Sequence, residues 1–252
     1  MSKLKKVTHT ALIIAIVLVL RNFSYMVSFG GAGGMRIGIG GFFSKLPAIM
    51  FGPVYGGITS GIVDVLGFLI KPEGGYMFPL TLTAILGGIM TGLLWRCVKN
   101  INTVLFRRLF LSLFLCVGAL GIVNTLFAGF GAGTAYAAYI ASFGKRAEYL
   151  TVWFTAAGII AAAIFGADAL VRKKAGGYFS EEFIKILTVL LISNVTVTTL
   201  NTVILMSFMP SLAKLGFTVF YIPRLAEEII STIIQSWVVS FLVSLYEKMT
   251  AN

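Results

Sequence analysis

Eight stretches of this chain contain no Asp, Glu, Lys or Arg: residues 7–20, 22–35, 46–63, 74–95, 109–144, 149–167, 186–213 and 229–246. A helix needs about 20 mostly apolar residues to cross roughly 30 Å of hydrocarbon. Only helices and closed barrels satisfy every backbone group there. These runs are continuous and do not alternate apolar with polar residues, which points to helices rather than barrel strands. Composition agrees: 58% of residues are hydrophobic, 12% are charged, and the mean hydropathy is +0.96. Soluble domains carry roughly 25% charged residues, so an ordinary soluble enzyme, a disordered chain and a secreted mini-domain are excluded. The 28 glycines speak against a coiled coil but suit membrane helices. The expected fold is an all-α, polytopic membrane helix bundle.

The first span is expected at about 7–28. Residues 46–70 are too long for one crossing and contain Gly52-Pro53, and a helix ends before a proline. They divide into a short second span at about 41–52 and a third at about 54–70. The fourth covers about 79–96. Further spans at 109–128, 149–170, 184–207 and 223–246 bring the expected number to eight. Lys3, Lys5 and Lys6 before an apolar run also look like a signal peptide. That run continues past Arg21 to Phe29 without an A-x-A site, so an uncleaved first span is expected.

The chain carries 20 Lys and Arg against nine Asp and Glu, for a net charge of +11. In a membrane chain such an excess reports orientation, because cytoplasmic loops collect cations, and no nucleic-acid partner is inferred from it. With the N-terminus inside, eight cations fall outside: Arg21, Arg36, Lys45, Lys71, Lys145, Arg146, Lys214 and Arg224. The other twelve of the 20 fall on the inner side. Both termini are therefore expected in the cytoplasm, yet eight outer cations are many and ask for a second explanation.

Ionisable groups at membrane depth are costly and face the bundle interior or a water-filled cavity. Arg21, Asp64, Arg224, Glu227 and Glu228 lie inside expected spans. Arg21, Arg36, Lys71 and Arg224 map to the outer half, as does the aromatic segment Tyr76-Met-Phe78-Pro79. A cationic, aromatic-lined outward pocket suits an anionic ligand with a flat ring: guanidinium forks hold carboxylates bidentately, and aromatic faces stack on rings. The plainer alternative has Arg21 and Arg224 snorkelling to the interface, with Asp64 paired to one of them.

Small residues let membrane helices approach closely. Gly52-x3-Gly56, Gly57-x3-Gly61 and Gly88-x3-Gly92 place them on the second to fourth spans, and Ala11 and Ala15 share one face of the first. A phosphate-binding G-x-x-x-x-G-K-[ST] loop, a G-x-G-x-x-G turn, an H-E-x-x-H metal motif and a G-x-S-x-G elbow are all missing, so neither a metal nor a cofactor is expected. An intramembrane enzyme is disfavoured for the same reason. If the protein uses ATP, another chain hydrolyses it. The two cysteines, Cys97 and Cys116, are expected to be inert, and His9, where the first span begins, is expected to snorkel to the interface rather than to act as a ligand.

One ordered series of motifs resembles a known family. It runs Met35-Arg-Ile-Gly-Ile-Gly-Gly41, Pro47-Ala-Ile-Met-Phe-Gly-Pro53, Gly56-Gly-Ile-Thr-Ser-Gly-Ile-Val-Asp-Val-Leu-Gly67 and Pro72-Glu-Gly-Gly-Tyr-Met-Phe-Pro79. It is similar to the folate-family substrate-binding (S) components of energy-coupling factor (ECF) vitamin transporters. Leu200-Asn-Thr-Val-Ile-Leu205 and Pro223-Arg224 resemble the family's last two spans. The likeness covers 1–99 and about 183–252. Family members usually have six spans, so residues 100–182 would be an inserted transmembrane hairpin in a single membrane domain. An even number of added spans leaves the sidedness of the last two unchanged.

The resemblance implies a subunit of a prokaryotic plasma membrane that binds a vitamin from outside. It would associate with a transmembrane coupling subunit and two ATPase subunits, then topple to release its cargo inside. It implies that Arg36 lies in the gating loop after the first span, and that Lys71, Tyr76 and Phe78 lie in the loop between the third and fourth. Asp64 would be the acid of the third span, Asn201 the amide of the fifth and Arg224 the cation of the sixth. Asp64 or Asn201 would bond a heterocycle, and Arg36 or Arg224 a carboxylate. Ala11 and Ala15 would dock the coupling subunit. Folate is the foremost ligand, with cobalamin, queuosine precursors and pantothenate taken by related S components. A different class remains open: a self-sufficient proton-coupled transporter using Asp64, Glu227 or Glu228.

Overall fold

A computed structural model describes residues 2–29, 32–38, 40–72, 74–130, 133–142, 151–152, 154–175 and 182–251. The described chain is a helical bundle with one small β-hairpin, and it divides into two compact units. The first holds Met1–Asn100 and Ser180–Asn252, the second Ile101–Phe179.

The first unit opens with α1 (Lys3–Arg21), whose start is capped by Ser2, the side chain accepting from the Lys5 N–H. The expected first span is longer, reaching residue 28. Helix α1 ends at Arg21, and the chain turns into an antiparallel pair, β1 (Tyr25–Phe29) and β2 (Ala32–Ile37). Glycine is poorly suited to a helix interior, so the Gly30-Gly-Ala-Gly-Gly34 stretch favours this return over a longer helix. The expected second span is two short pieces, α2 (Gly40–Ser44) and α3 (Leu46–Phe51). Then come α4 (Pro53–Ile70) and α5 (Phe78–Val98). The second unit supplies α6 (Thr103–Phe130), α7 (Ala135–Ser142) and α8 (Phe154–Ala175). The chain returns to the first unit with α9 (Phe183–Phe208), the short α10 (Pro210–Ala213) and α11 (Phe217–Ala251). Gly52 joins α3 to α4 at φ 102°, a left-handed conformation open to glycine, and Pro53 starts the next helix.

Among the described residues, five helices are long and apolar enough to cross a membrane: α4, α5, α6, α9 and α11. Of the other three expected spans, the first falls on the lysine-bearing α1 and the second on the broken α2–α3 pair. The third falls on α8, whose apolar part is Phe154–Leu170. Each of the eight expected crossings thus meets helix, although three of them fall short of a simple span in length or in apolarity.

Packing in the first unit is set by the small residues. A Cβ at Gly92 would lie 2.5 Å from Pro53 Cα, one at Gly56 would lie 2.5 Å from the Gly88 carbonyl oxygen, and one at Gly88 would fall on the Gly56 carbonyl. Helices α4 and α5 therefore touch backbone to backbone, the geometry small-x3-small spacing permits in lipid. Helix α9 packs on α5 and α11, while α1 packs on α2 and α4. Two apolar clusters close the unit's ends. Leu46, Ile49, Trp95, Ile186, Leu190 and Val239 belong to the one nearer the termini. Leu205, Leu212 and Phe220 form the other.

Lys185, 1% exposed, ties the first turn of α9 to the end of α5. Its Nζ donates to the Lys99 carbonyl at 2.9 Å and meets Glu182 Oε1 at 3.3 Å. Lys185→Ala removes a buried stem and a charged hydrogen bond, so a loss of about 3 kcal/mol is expected. Glu182→Gln, at a partly exposed position, should cost far less. Thermal unfolding of the two variants in detergent checks this, and equal midpoints would contradict it.

In the second unit, α6 and α8 meet at facing glycines, with a Cβ at Gly118 falling 2.8 Å from Gly158 Cα. Arg107 forms an ion pair with the buried Asp168 at 3.3 Å and lies 5.7 Å from the Phe165 ring centre. Tyr136 donates to Asn124 Oδ1 at 2.6 Å.

Candidate functional site

Between the two apolar clusters of the first unit lies a layer of polar side chains. At 1.5 Å of rise per residue, Asp64 stands about 9 Å from the end of α4, while Asn201 and Arg224 stand about 10 Å from the end of α9 and the start of α11. All three lie toward the end opposite the chain termini and at similar depth. In a bilayer that depth is inside the hydrocarbon, where an ionisable group needs a reason to be.

Arg224 is 8% exposed, so it is buried in the bundle rather than snorkelling outward. Its Nε donates to Thr202 Oγ1 at 3.2 Å, and its guanidinium carbon lies 5.1 Å from the Phe220 ring centre. Its Nη1 is buried and makes no hydrogen bond among the described residues. The charges of Glu228 and Glu227 act on it at longer range. Glu228 also acts on Lys45 and accepts from Thr198 Oγ1 at 2.6 Å. Asn201, one residue before Thr202, accepts at Oδ1 from the Thr83 hydroxyl of α5. Its amide nitrogen has no partner among the described residues.

Asp64 belongs to a second cluster, at the α4–α5 contact. Thr81 donates to Asp64 Oδ2 at 2.6 Å, and the Tyr76 hydroxyl lies 2.8 Å from Thr81 Oγ1. The Tyr76 ring packs on Phe68 with centres 5.2 Å apart. Asp64 therefore pairs with neither Arg21 nor Arg224, and the ion-pair alternative does not hold. Arg21 instead donates from Nη1 to the Val63 carbonyl at 3.0 Å and lies against Gly67. Lys71 Nζ donates to the Ser24 carbonyl at 2.5 Å. These two cations bind the end of α1 to the second half of α4.

The structure thus groups the expected residues. Asp64 and Tyr76 share one hydrogen-bonded cluster. Asn201 and Arg224 share the α9 face, through adjacent positions 201 and 202. Lys71 sits at the α1–α4 junction, and Phe78 is exposed at the start of α5. Arg36 faces Met26 across the hairpin, but its side chain lies outside the described residues. Among the described residues no direct hydrogen bond joins the Asp64 cluster to Asn201 or Arg224; α5 lies between, with Thr81 turned to α4 and Thr83 to α9. Ala11 and Ala15 lie on an exposed face of α1 with Leu4, Leu12 and Ile16.

Four members of the layer escape the sequence reading, Thr81, Thr83, Thr198 and Thr202, and Lys45 enters it only as one of the outer cations. A signal exists on α9, where Asn194, Thr198 and Thr202 recur every four residues, a polar stripe on one face of an apolar helix. Asn194 continues it by donating to Gln235 Oε1 at 2.9 Å and to Thr232 Oγ1 at 3.0 Å. Chemically, the layer offers anion-binding donors at Arg224 and Asn201 and an acceptor at Asp64. Among the described residues no group of three His, Cys, Asp or Glu is placed to hold a metal.

A stretch of 58 residues is 40% identical to the folate transporter FolT of Clostridium novyi (strain NT). The match covers 23% of this chain, and the chain spans about a third (34%) of the length of that curated relative. No protein-family model matches the chain. No solved structure matches it.

Proposed function

We propose that this protein is the membrane-embedded substrate-binding subunit of an ATP-driven vitamin importer of the ECF type, taking up folate or a similar anionic heterocyclic vitamin. The observation that carries the reading is Arg224, a guanidinium at bilayer depth with a bare Nη1 and no carboxylate within ion-pair distance among the described residues. A buried cation with an unused donor is costly without a ligand. A substrate carboxylate supplies what is missing. The partial likeness to a folate transporter supports the choice of vitamin.

In this reading Arg224 grips a carboxylate, while the Asn201 amide and the free Asp64 oxygen bond a nitrogen-rich ring. Arg36, Lys71, Tyr76 and Phe78 flank the entrance, which opens to the outside with both termini cytoplasmic. Ala11 and Ala15 give the coupling subunit a smooth surface, and two ATPase subunits supply the energy. The hairpin at 100–182 is an addition to a six-span core.

Reconstituted vesicles test the proposal. Labelled folate is expected to accumulate only when the chain is assembled with an energy-coupling module and ATP. Accumulation driven by a proton gradient, with this chain alone in the membrane, would overturn it and favour a carboxylate relay through Asp64, Glu227 or Glu228.

A further inference from the structure

We propose that the end of the bundle carrying both termini holds a binding site for the phosphate group of an anionic phospholipid. A cleft of about 690 Å³ opens there between the start of α1, the end of α3 and the end of α11. Lys5, Lys6 and His9 supply its polar wall, and among the described residues no Asp or Glu lines it. Neither lysine ammonium has a hydrogen-bond or ion-pair partner among the described residues. The first turn of α1 carries no acid, so its N-terminal dipole also favours an anion.

The remaining walls decide what kind of anion fits. His9 packs edge-on against Phe51 and Tyr246, with ring centres 6.4 and 5.9 Å apart, and Phe51 meets Tyr246 at 6.3 Å. Met50 and Met249 complete the lining. A free phosphate uses only the cations. A phospholipid uses both surfaces, its phosphate on Lys5 and Lys6 and its glycerol and upper acyl carbons on the rings and thioethers. Basic pockets between helix ends at a membrane surface are suited to anionic headgroups. The proposal rests on the membrane character of the bundle and is independent of the vitamin.

Native mass spectrometry of the full chain, taken from detergent with equal phosphatidylglycerol and phosphatidylcholine, tests the site. The wild type is expected to retain phosphatidylglycerol preferentially. Lys5→Gln with Lys6→Gln should weaken that retention roughly thirtyfold, the effect of removing two near-surface cations. Lys3→Gln with Lys248→Gln, the same charge change outside the lining, should weaken it far less. Unfolding midpoints without lipid establish that both double variants fold. Undiminished retention in the first variant, or equal loss in both, overturns the proposal. A thermal shift with inorganic phosphate alone that matches the one with phosphatidylglycerol overturns the lipid assignment in favour of a soluble anion.

Discussion

Gly88→Leu is expected to lower the unfolding midpoint of the protein by roughly 10 °C or to abolish its folded yield. Overpacking a close-packed site typically costs about 1–3 kcal/mol because neighbouring side chains yield. Here the obstacle is backbone: a Cβ at Gly88 falls on the Gly56 carbonyl, and Gly92 leans on Pro53 in the same way. No rotamer change relieves that, so α4 and α5 must separate. The loss then reaches about 3 kcal/mol or more, and a chain of this size loses about 2–4 °C per kcal/mol. Separation would also pull Asp64 from Thr81, since their bond spans the same contact. Gly129→Leu is the control, because a Cβ there meets nothing within 4 Å. Thermal unfolding in detergent reads both variants, and a Gly88→Leu midpoint equal to the wild type would mean that α4 and α5 do not touch.

Arg224→Ala is expected to weaken folate binding by roughly 30- to 1000-fold, the range for removing one member of a buried charge pair, about 2–4 kcal/mol. The variant also relieves the bundle of a buried cation whose Nη1 has no hydrogen-bond partner among the described residues. Its thermal stability without ligand should fall by about 3 kcal/mol at most. The lost stem packing, the lost Thr202 bond and the lost counter-charge to Glu227 and Glu228 are partly offset by that relief. A loss of binding larger than the loss of stability, in a variant that still folds, separates a ligand-holding role from a structural one. Arg224→Lys should restore little, because an ammonium lacks the planar fork that grips a carboxylate. Isothermal titration and unfolding midpoints read the two quantities. Unchanged affinity in Arg224→Ala would clear the residue of the role.

Much of the architecture is legible in the chain itself. Gly52-Pro53 marks the break between α3 and α4 because a left-handed turn and a fixed φ leave the helix no alternative. The glycine spacing anticipates the α4–α5 contact because backbone approach requires missing side chains. The end of α1 is less readable: residues 22–29 are as apolar as a span, and only pairing across Val27 and Met35 makes them a strand. The site is legible in its charges and illegible in its partners. A buried Arg or Asp stands out in a run of apolar residues, whereas Thr81 and Thr83 look like filler until α5 is rotated between its neighbours. Arg21 and Lys71 illustrate the converse. The charge pattern puts both in a cationic pocket, yet both donate to main-chain carbonyls that happen to end nearby, a use no composition announces.

Equilibrium titration of the purified chain alone with folate tests the central claim most directly. Binding of one folate per chain, weakened by Arg224→Ala and absent for a folate analogue lacking its carboxylates, is the predicted result. Indifference to the carboxylates, or no binding at micromolar protein, would contradict it.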